Sequence, residues 1–174
     1  MGLPELRKFT NEEECKKYYI EHYCNNTEIK TFDGICVRFY EETFEHAFYV
    51  RTRKSWKAPK DKYSTERGER IDWIKSVLED PSIIPRKGYD SAKKNYDNSR
   101  RVTFLAPNNY VVVIYINAKG EGKFVTAYLV DNQDTANKIV SSPVWEKVHK
   151  KKPLVIWPSS RSLYRSQTIS KGLT

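Results

Sequence analysis

Two hydroxyls, an imidazole and a set of guanidinium and ammonium groups are the side chains of this 174-residue chain whose types and spacing could do chemistry. Thr126 and Tyr128 lie two apart in Phe124-Val-Thr-Ala-Tyr-Leu-Val130, a run whose β-branched and aromatic residues read as a strand. Side chains alternate along a strand, so Phe124, Thr126 and Tyr128 are expected on one face and Val125, Ala127 and Leu129 on the other. A face with two hydroxyls suits the floor of a site as well as half-buried sheet surface. His46 stands in Phe44-Glu-His-Ala-Phe48, beside the apolar stripe of a short helix, where an imidazole either packs or moves protons. Arg67 falls on the inward line of a later helix, with Arg70 on its border. A buried guanidinium needs an anion, either a structural carboxylate or a substrate phosphate. Between them, residues 51–63 carry Arg53, Lys57 and Lys60 interleaved with Trp56 and Tyr63. These types pair phosphates and stack on unpaired bases, and they also suit an exposed loop.

Other chemistry finds little support. The chain has no Gly-rich phosphate loop, no His-Glu-x-x-His and no carboxylate cluster of the kind that holds magnesium. Cys15, Cys24 and Cys36 are odd in number and lack Cys-x-x-Cys spacing, and His22 with Cys24 is too few ligands for a zinc site. No metal or cofactor is expected. Apolar runs fall short of the roughly 18 residues a membrane span needs, and Met-Gly-Leu-Pro-Glu-Leu-Arg-Lys lacks the core of a signal peptide. A soluble, cytoplasmic protein is expected.

The net charge of +9 is unevenly placed. Residues 1–50 hold six Lys/Arg against ten Asp/Glu, residues 51–101 fifteen against eight, and residues 102–174 ten against four. The positive field belongs to the middle and end of the chain, as a polyanion partner would require. A basic protein with an imidazole, arginines and hydroxyls suits metal-independent cleavage of RNA. There the substrate's own 2′-OH attacks, and the protein moves two protons and holds charge on the phosphorane.

The elements that must position these groups follow from pattern. Thr10 and Glu13 have capping-box spacing ahead of a helix with Cys15, Tyr18, Tyr19, His22 and Tyr23 on one stripe, ended by Asn25-Asn26. His22 reads as packed or partly exposed. Asp33-Gly34 predicts a two-residue hairpin turn between 29–32 and 35–40. Thr43 would cap a helix over 41–50, and Ser64 one running to about Glu79, stopped by Asp80-Pro81, with Ile71, Ile74 and Leu78 buried. Residues 82–101 suggest an irregular hairpin. Three runs between Arg101 and Asp131 predict an antiparallel meander whose middle strand, Tyr110 to Ile116, is covered on both faces. Residues 132–140 read as a helix, Ser142-Pro143 as the start of another, and 154–157 as an edge strand. The expected class is α+β: a small antiparallel sheet packed by helices, in one domain over 1–158 with 1–27 as a helical extension, then a basic tail over 159–174.

Taken in order, Phe44-Glu-His46-Ala-Phe48, Glu66-Arg67-Gly-Glu-Arg70-Ile-Asp-Trp73-Ile with Leu78-Glu-Asp-Pro81, Tyr110-Val-Val-Val-Ile and Phe124-Val-Thr126-Ala-Tyr128 resemble the phage-associated barnase, EndoU, colicin and RelE-like (BECR-fold) nucleases. The similarity spans roughly residues 28–145. It implies a ribonuclease site across the sheet face, with His46 moving a proton and Arg67 and Arg70 binding the scissile phosphate. Thr126 and Tyr128 would contact phosphate or shuttle a proton, while Arg53, Lys57 and Lys60 grip flanking phosphates. Members of the family use a second catalytic Glu or His; His149 lies outside the resembling stretch and Tyr128 is the substitute here, so acid and base stay unassigned. The expectation is a metal-independent endoribonuclease, a toxin or defence effector, with RNA and an acidic antitoxin-like protein as partners. The alternatives are a non-catalytic nucleic-acid-binding module on the same basic face and a scaffold for an acidic protein.

Overall fold

The structure is a computed structural model that describes residues 2–25, 28–53, 58–90 and 94–147, with side chains of 98–107 left aside. The expected edge strand at 154–157, His149, Trp56, Lys57 and the basic tail lie outside the described residues.

The first helix, α1 (Glu12–Tyr19), continues through one π-helical turn over Ile20–Cys24. Three glutamates in its first turn favour the positive end of the helix dipole. The cap sits one residue later than the sequence pattern suggests. Asn11 accepts from the Glu14 amide, and the Glu14 carboxylate accepts from the Thr10 amide. An α1 stripe of Cys15, Tyr19 and Tyr23 is buried, while His22 is exposed and stacks on Tyr18.

Strands β1 (Ile29–Lys30) and β2 (Cys36–Arg38) form the expected hairpin. Its turn spans three residues rather than two. Thr31 still pairs with Ile35, so Phe32, Asp33 and Gly34 make the turn, with Gly34 at φ +83° where a side chain would be strained.

Helix α2 (Thr43–Phe48) buries Phe44, Ala47 and Phe48 as its spacing requires. Thr43 is its first helical residue rather than its cap, and Glu42 precedes it without a side-chain cap. A two-stranded ribbon of β3 (Tyr49–Val50) and β4 (Lys62–Tyr63) follows. Ser64 caps the next helix as expected, but that helix breaks at Arg70 into α3 (Thr65–Glu69) and α4 (Ile71–Glu79). Ile71, Ile74, Val77 and Leu78 face inward, and Asp80 leads out to Pro81.

Residues 82–101 do form a hairpin, β5 (Arg86–Asp90) with β6 (Asn95–Ala106), irregular at Lys87/Gly88. A turn with Asn108 and Asn109 at positive φ leads to β7 (Tyr110–Ile116), and β8 (Gly122–Leu129) completes the meander. Helix α5 (Gln133–Ser141) is capped by Asn132. No helix starts at Ser142-Pro143 within the described residues; the chain extends along β5 instead, through Lys87 to Pro143, Trp145 to Pro85 and a bridge from Arg86 to Val144.

The six-stranded sheet runs β1-β2-β8-β7-β6-β5. It is larger than the meander alone and not wholly antiparallel, because β2 joins β8 in parallel at Val37↔Gly122 and Arg38↔Lys123. Within the expected helical extension, Cys15, Tyr19 and Tyr23 of the α1 stripe pack into the core on this sheet. Tyr19 lies at its centre, with ring contacts to Phe39, Phe44, Phe48 and Phe124 at 5.6–6.4 Å. Val112, Ile114 and Ile116 of β7 face this core, and Val111 and Val113 face a second cluster with Ala136 of α5. The class is α+β.

Gly68 sets how closely α3 approaches α1 and β4. A Cβ there would clash with the Tyr63 hydroxyl and lie 3.2 Å from Cys15 Sγ. Helix propensity alone makes Gly→Ala stabilising, by about 1 kcal/mol. Overpacking of a filled interior costs about 1–3 kcal/mol and should win here. Gly68→Ala is therefore expected to lower the unfolding midpoint in urea, and adding Tyr63→Phe to recover part of the loss. A raised midpoint in the single variant would contradict the packing described.

Candidate functional site

Helix α2 ends with its carbonyls turned toward two cations. Lys60 Nζ donates to the carbonyl of His46, while Arg67 Nη1 donates to the carbonyls of Ala47 at 2.8 Å and Tyr49 at 3.5 Å. The chain between them is folded back to make this possible. β3 pairs with β4, the Thr52 amide and hydroxyl bond the Asp61 carboxylate at 2.9 and 2.6 Å, and Arg51 Nε reaches the carbonyl of Ala58 at 2.6 Å. The Ser64 amide donates to Phe48, which delivers α3 and hence Arg67 beneath α2.

Both cations are half-buried, and among the described residues neither forms an ion pair with a carboxylate. Burial, then Arg67, then Arg51 push the Lys60 ammonium down from 10.5 to about 8. Burial likewise lowers Arg67, with the hydroxyls of Tyr128 and Tyr110 acting against it. Helix carbonyls stabilise a cation without cancelling its charge. The result is a partly desolvated positive pair with unspent attraction for an anion. The structural carboxylate that Arg67's position left open is not its partner; backbone carbonyls are.

His46 is exposed, and it is its backbone carbonyl, one residue before that of Ala47, that Lys60 caps. On the sheet side, the Arg67 guanidinium lies 5.6 Å from the centre of the Tyr128 ring, a cation–π distance. Burial raises the Tyr128 hydroxyl and Arg67 opposes that shift. Thr126 pairs across the sheet with Val113, and its buried hydroxyl has no hydrogen-bond partner among the described residues. An orphaned hydroxyl costs about 1–3 kcal/mol, which makes it a ready donor or acceptor for something else.

The simple alternation expected along β8 fails at this point. A bulge between Val113 and Ile114 sets Val125 as an extra residue, so Phe124 turns to the main core while Val125 and Tyr128 pack on the α5 side. Phe124 therefore does not share a face with Tyr128.

Arg70 serves the α3/α4 junction in its described contacts. It donates to the carbonyl of Glu66 at 2.7 Å, stacks on Trp73 at 5.2 Å, and its own carbonyl accepts from Tyr110 at 3.2 Å. It shares Tyr110 with Arg67, both guanidiniums acting on that hydroxyl, and its buried Nε has no hydrogen-bond partner among the described residues. Arg53 is exposed on the β3–β4 loop, close enough to Asp61 to help lower that carboxyl. Arg51 belongs to the electrostatics of the pair and was not singled out by the sequence pattern; its place directly after β3 was the available signal. Among the described residues no three His, Cys, Asp or Glu side chains group as metal ligands, and no helix is long and apolar enough to cross a membrane.

Because Lys60 loses its proton near pH 8, it should be acylated by a neutral-pH amine reagent with a midpoint about there, read by peptide mass spectrometry across pH. Removing a neighbouring positive charge favours the ammonium, so Arg67→Met should move that midpoint upward. A native midpoint at 10.5 would refute the half-buried cation pair.

Comparison of the chain with protein-family models, with curated proteins and with solved structures finds no match.

Proposed function

We propose that the protein is a metal-independent endoribonuclease that cleaves RNA by transesterification, a toxin or defence effector whose cellular partner is an acidic antitoxin-like protein. The observation that carries this reading is the half-buried Lys60–Arg67 pair, which has no carboxylate partner among the described residues and caps the carbonyls of the exposed His46 and of Ala47. The ordered resemblance to BECR-fold nucleases supports the same conclusion.

In the reaction the substrate 2′-OH attacks phosphorus and the bond from phosphorus to the 5′-oxygen breaks. One proton leaves the 2′-OH, one reaches the departing 5′-oxygen, and a 2′,3′-cyclic phosphate remains. Arg67 and Lys60 hold the added charge on the phosphorane, which is where preorganised cations act most strongly. His46 moves one proton. Lys60, which burial and then Arg67 and Arg51 lower to about 8, is a better second proton carrier than Tyr128, whose hydroxyl burial keeps protonated. Thr126 would give its unpaired hydroxyl to a phosphate oxygen. Arg53 and Lys57 would grip flanking phosphates; Lys57 lies outside the described residues.

One observation favours the second reading, binding of nucleic acid without cleavage: both cations already have a structural task at the end of α2. Incubation of labelled RNA in EDTA separates the two. Cleavage to a cyclic phosphate is expected from the native protein, with a loss of about 10²–10⁴-fold in His46→Ala and a smaller loss in Thr126→Ala. The pH profile of kcat/KM should bend near pH 8, and Lys60→Met should remove that bend. Tight, salt-sensitive RNA retention with no cleavage would establish the binder instead.

A further inference from the structure

A second concave surface lies at the opposite end of the sheet, where α5 meets the β5–β6 hairpin. Its volume is about 290 Å³, and Lys87, Tyr89, Tyr96, Lys138, Ile139 and Ser142 line it. Tyr89 and Tyr96 are cross-strand partners with ring centres 5.3 Å apart and planes at 71°, so one edge meets one face and the other faces stay open. They are 54% and 37% exposed, a large aromatic area to leave in water. The irregular pairing at Lys87/Gly88 re-aims the strand just before Tyr89. Across the pocket, Thr135, Lys138, Ile139 and Ser142 form one stripe of α5 and the residue after it, at helical spacing. Ser142 Oγ donates to the Lys138 carbonyl at 2.8 Å and lies 3.5 Å from the Tyr96 hydroxyl, which fixes the floor. Among the described residues two ammonium groups line the pocket and no carboxylate does; Asp90 adjoins Tyr89, and Asp97 adjoins Tyr96 and pairs with Gly88, without lining it.

We propose that this pocket is a nucleotide subsite, taking one unpaired base of an RNA strand against the tyrosine pair and its phosphate against Lys87 and Lys138. Open aromatic faces next to cations are what single-stranded nucleic acid rewards, because every base has a face to stack and every nucleotide a charge to pair. The volume lies at the small end of ligand pockets, which suits one base and not a peptide helix. Position agrees with this. β7 and β6 separate β8 from β5, about 14 Å at the usual strand spacing. Tyr128 and α5 pack on the same face of the sheet, and the Arg67 guanidinium reaches the Tyr128 ring at 5.6 Å, while α2 packs on the opposite face.

The identity of the ligand rests on the RNA substrate proposed above, and the test keeps the two apart. The probe is a fluorescein-labelled single-stranded RNA, 2′-O-methylated throughout so that no attacking hydroxyl is present, titrated with the full chain at low salt and followed by anisotropy. Tyr89→Ala with Tyr96→Ala should weaken binding about 5- to 150-fold, the range that stacking one base is worth. Tyr89→Phe with Tyr96→Phe should bind within about twofold of native, since the ring faces remain. Lys138→Glu should weaken binding and reduce the salt slope by about one.

Far-UV circular dichroism checks that the alanine pair folds. Native affinity in a folded alanine pair overturns the subsite. So does a pair that keeps RNA but loses a Glu-rich aromatic peptide, which would assign the pocket to a protein partner. Cleavage of unmodified RNA scored in the same variants separates the two proposals. Cleavage by native protein with unaltered binding in the alanine pair sinks the subsite and leaves the nuclease. Pocket-dependent binding without cleavage does the reverse.

Discussion

The carbonyl end of a six-residue helix is the constraint on which the rest of this site depends. Helix α2 is too short to be stable alone, since nucleation is costly and few of its backbone bonds repay it. Its inward residues, Phe44, Ala47 and Phe48, hold it on the Tyr19 core. Its outgoing carbonyls would otherwise need water, and the ammonium of Lys60 and the guanidinium of Arg67 meet them. That requirement fixes the β3–β4 ribbon, the Thr52–Asp61 closure and the approach of α3 at Gly68. The same groups that finish the helix are thereby brought together at the carbonyls of His46 and Ala47. Structural need and a capacity for anions arise from one arrangement.

The bulge in β8 solves a second problem. A strictly alternating strand would place Phe124 and Tyr128 on one face, and the aromatic core needs the first while Arg67 takes the second. One extra residue at Val125 lets the strand serve the main core early and the α5 side later. The cost is an unpaired hydroxyl at Thr126, next to the irregularity. Strained or unsatisfied groups of this kind gather where a fold has been bent to a purpose.

Much of the architecture was legible in the chain because each part announced itself locally. The alternation and β-branching of Tyr110 to Ile116 gave a central strand, the spacing of Ile71, Ile74 and Leu78 gave a buried helix face, and Gly34 marked a turn. What was missed involves competition or distance. Asn11 outcompeted Thr10 as the cap because Glu14, not Glu13, can reach back. The helix that Ser64 began breaks at Arg70, whose φ of −99° and ψ of 16° leave the helical region, and its carbonyl accepts from both the Trp73 amide and the Tyr110 hydroxyl. The parallel pairing of β2 with β8 joins segments far apart in sequence and leaves no local trace. At the site, residue types pointed to His46, Arg67 and Lys60, yet nothing in the sequence could show that Lys60 and Arg67 grip adjacent carbonyls, or that Arg70 turns toward Trp73 instead.

That parallel pairing has a consequence for the order in which the protein is made. Val37 meets Gly122 only after most of the described chain has been synthesised, and contacts of such long range are slow to form. On a ribosome, the amino-terminal helix and hairpin emerge with no sheet to close against, and β8 brings Thr126 and Tyr128 at the end of the meander. The groups that hold Lys60 and Arg67 at the end of α2 all precede β8, and only the Tyr128 ring that faces Arg67 arrives with it. A half-made molecule holds the paired cations without that ring.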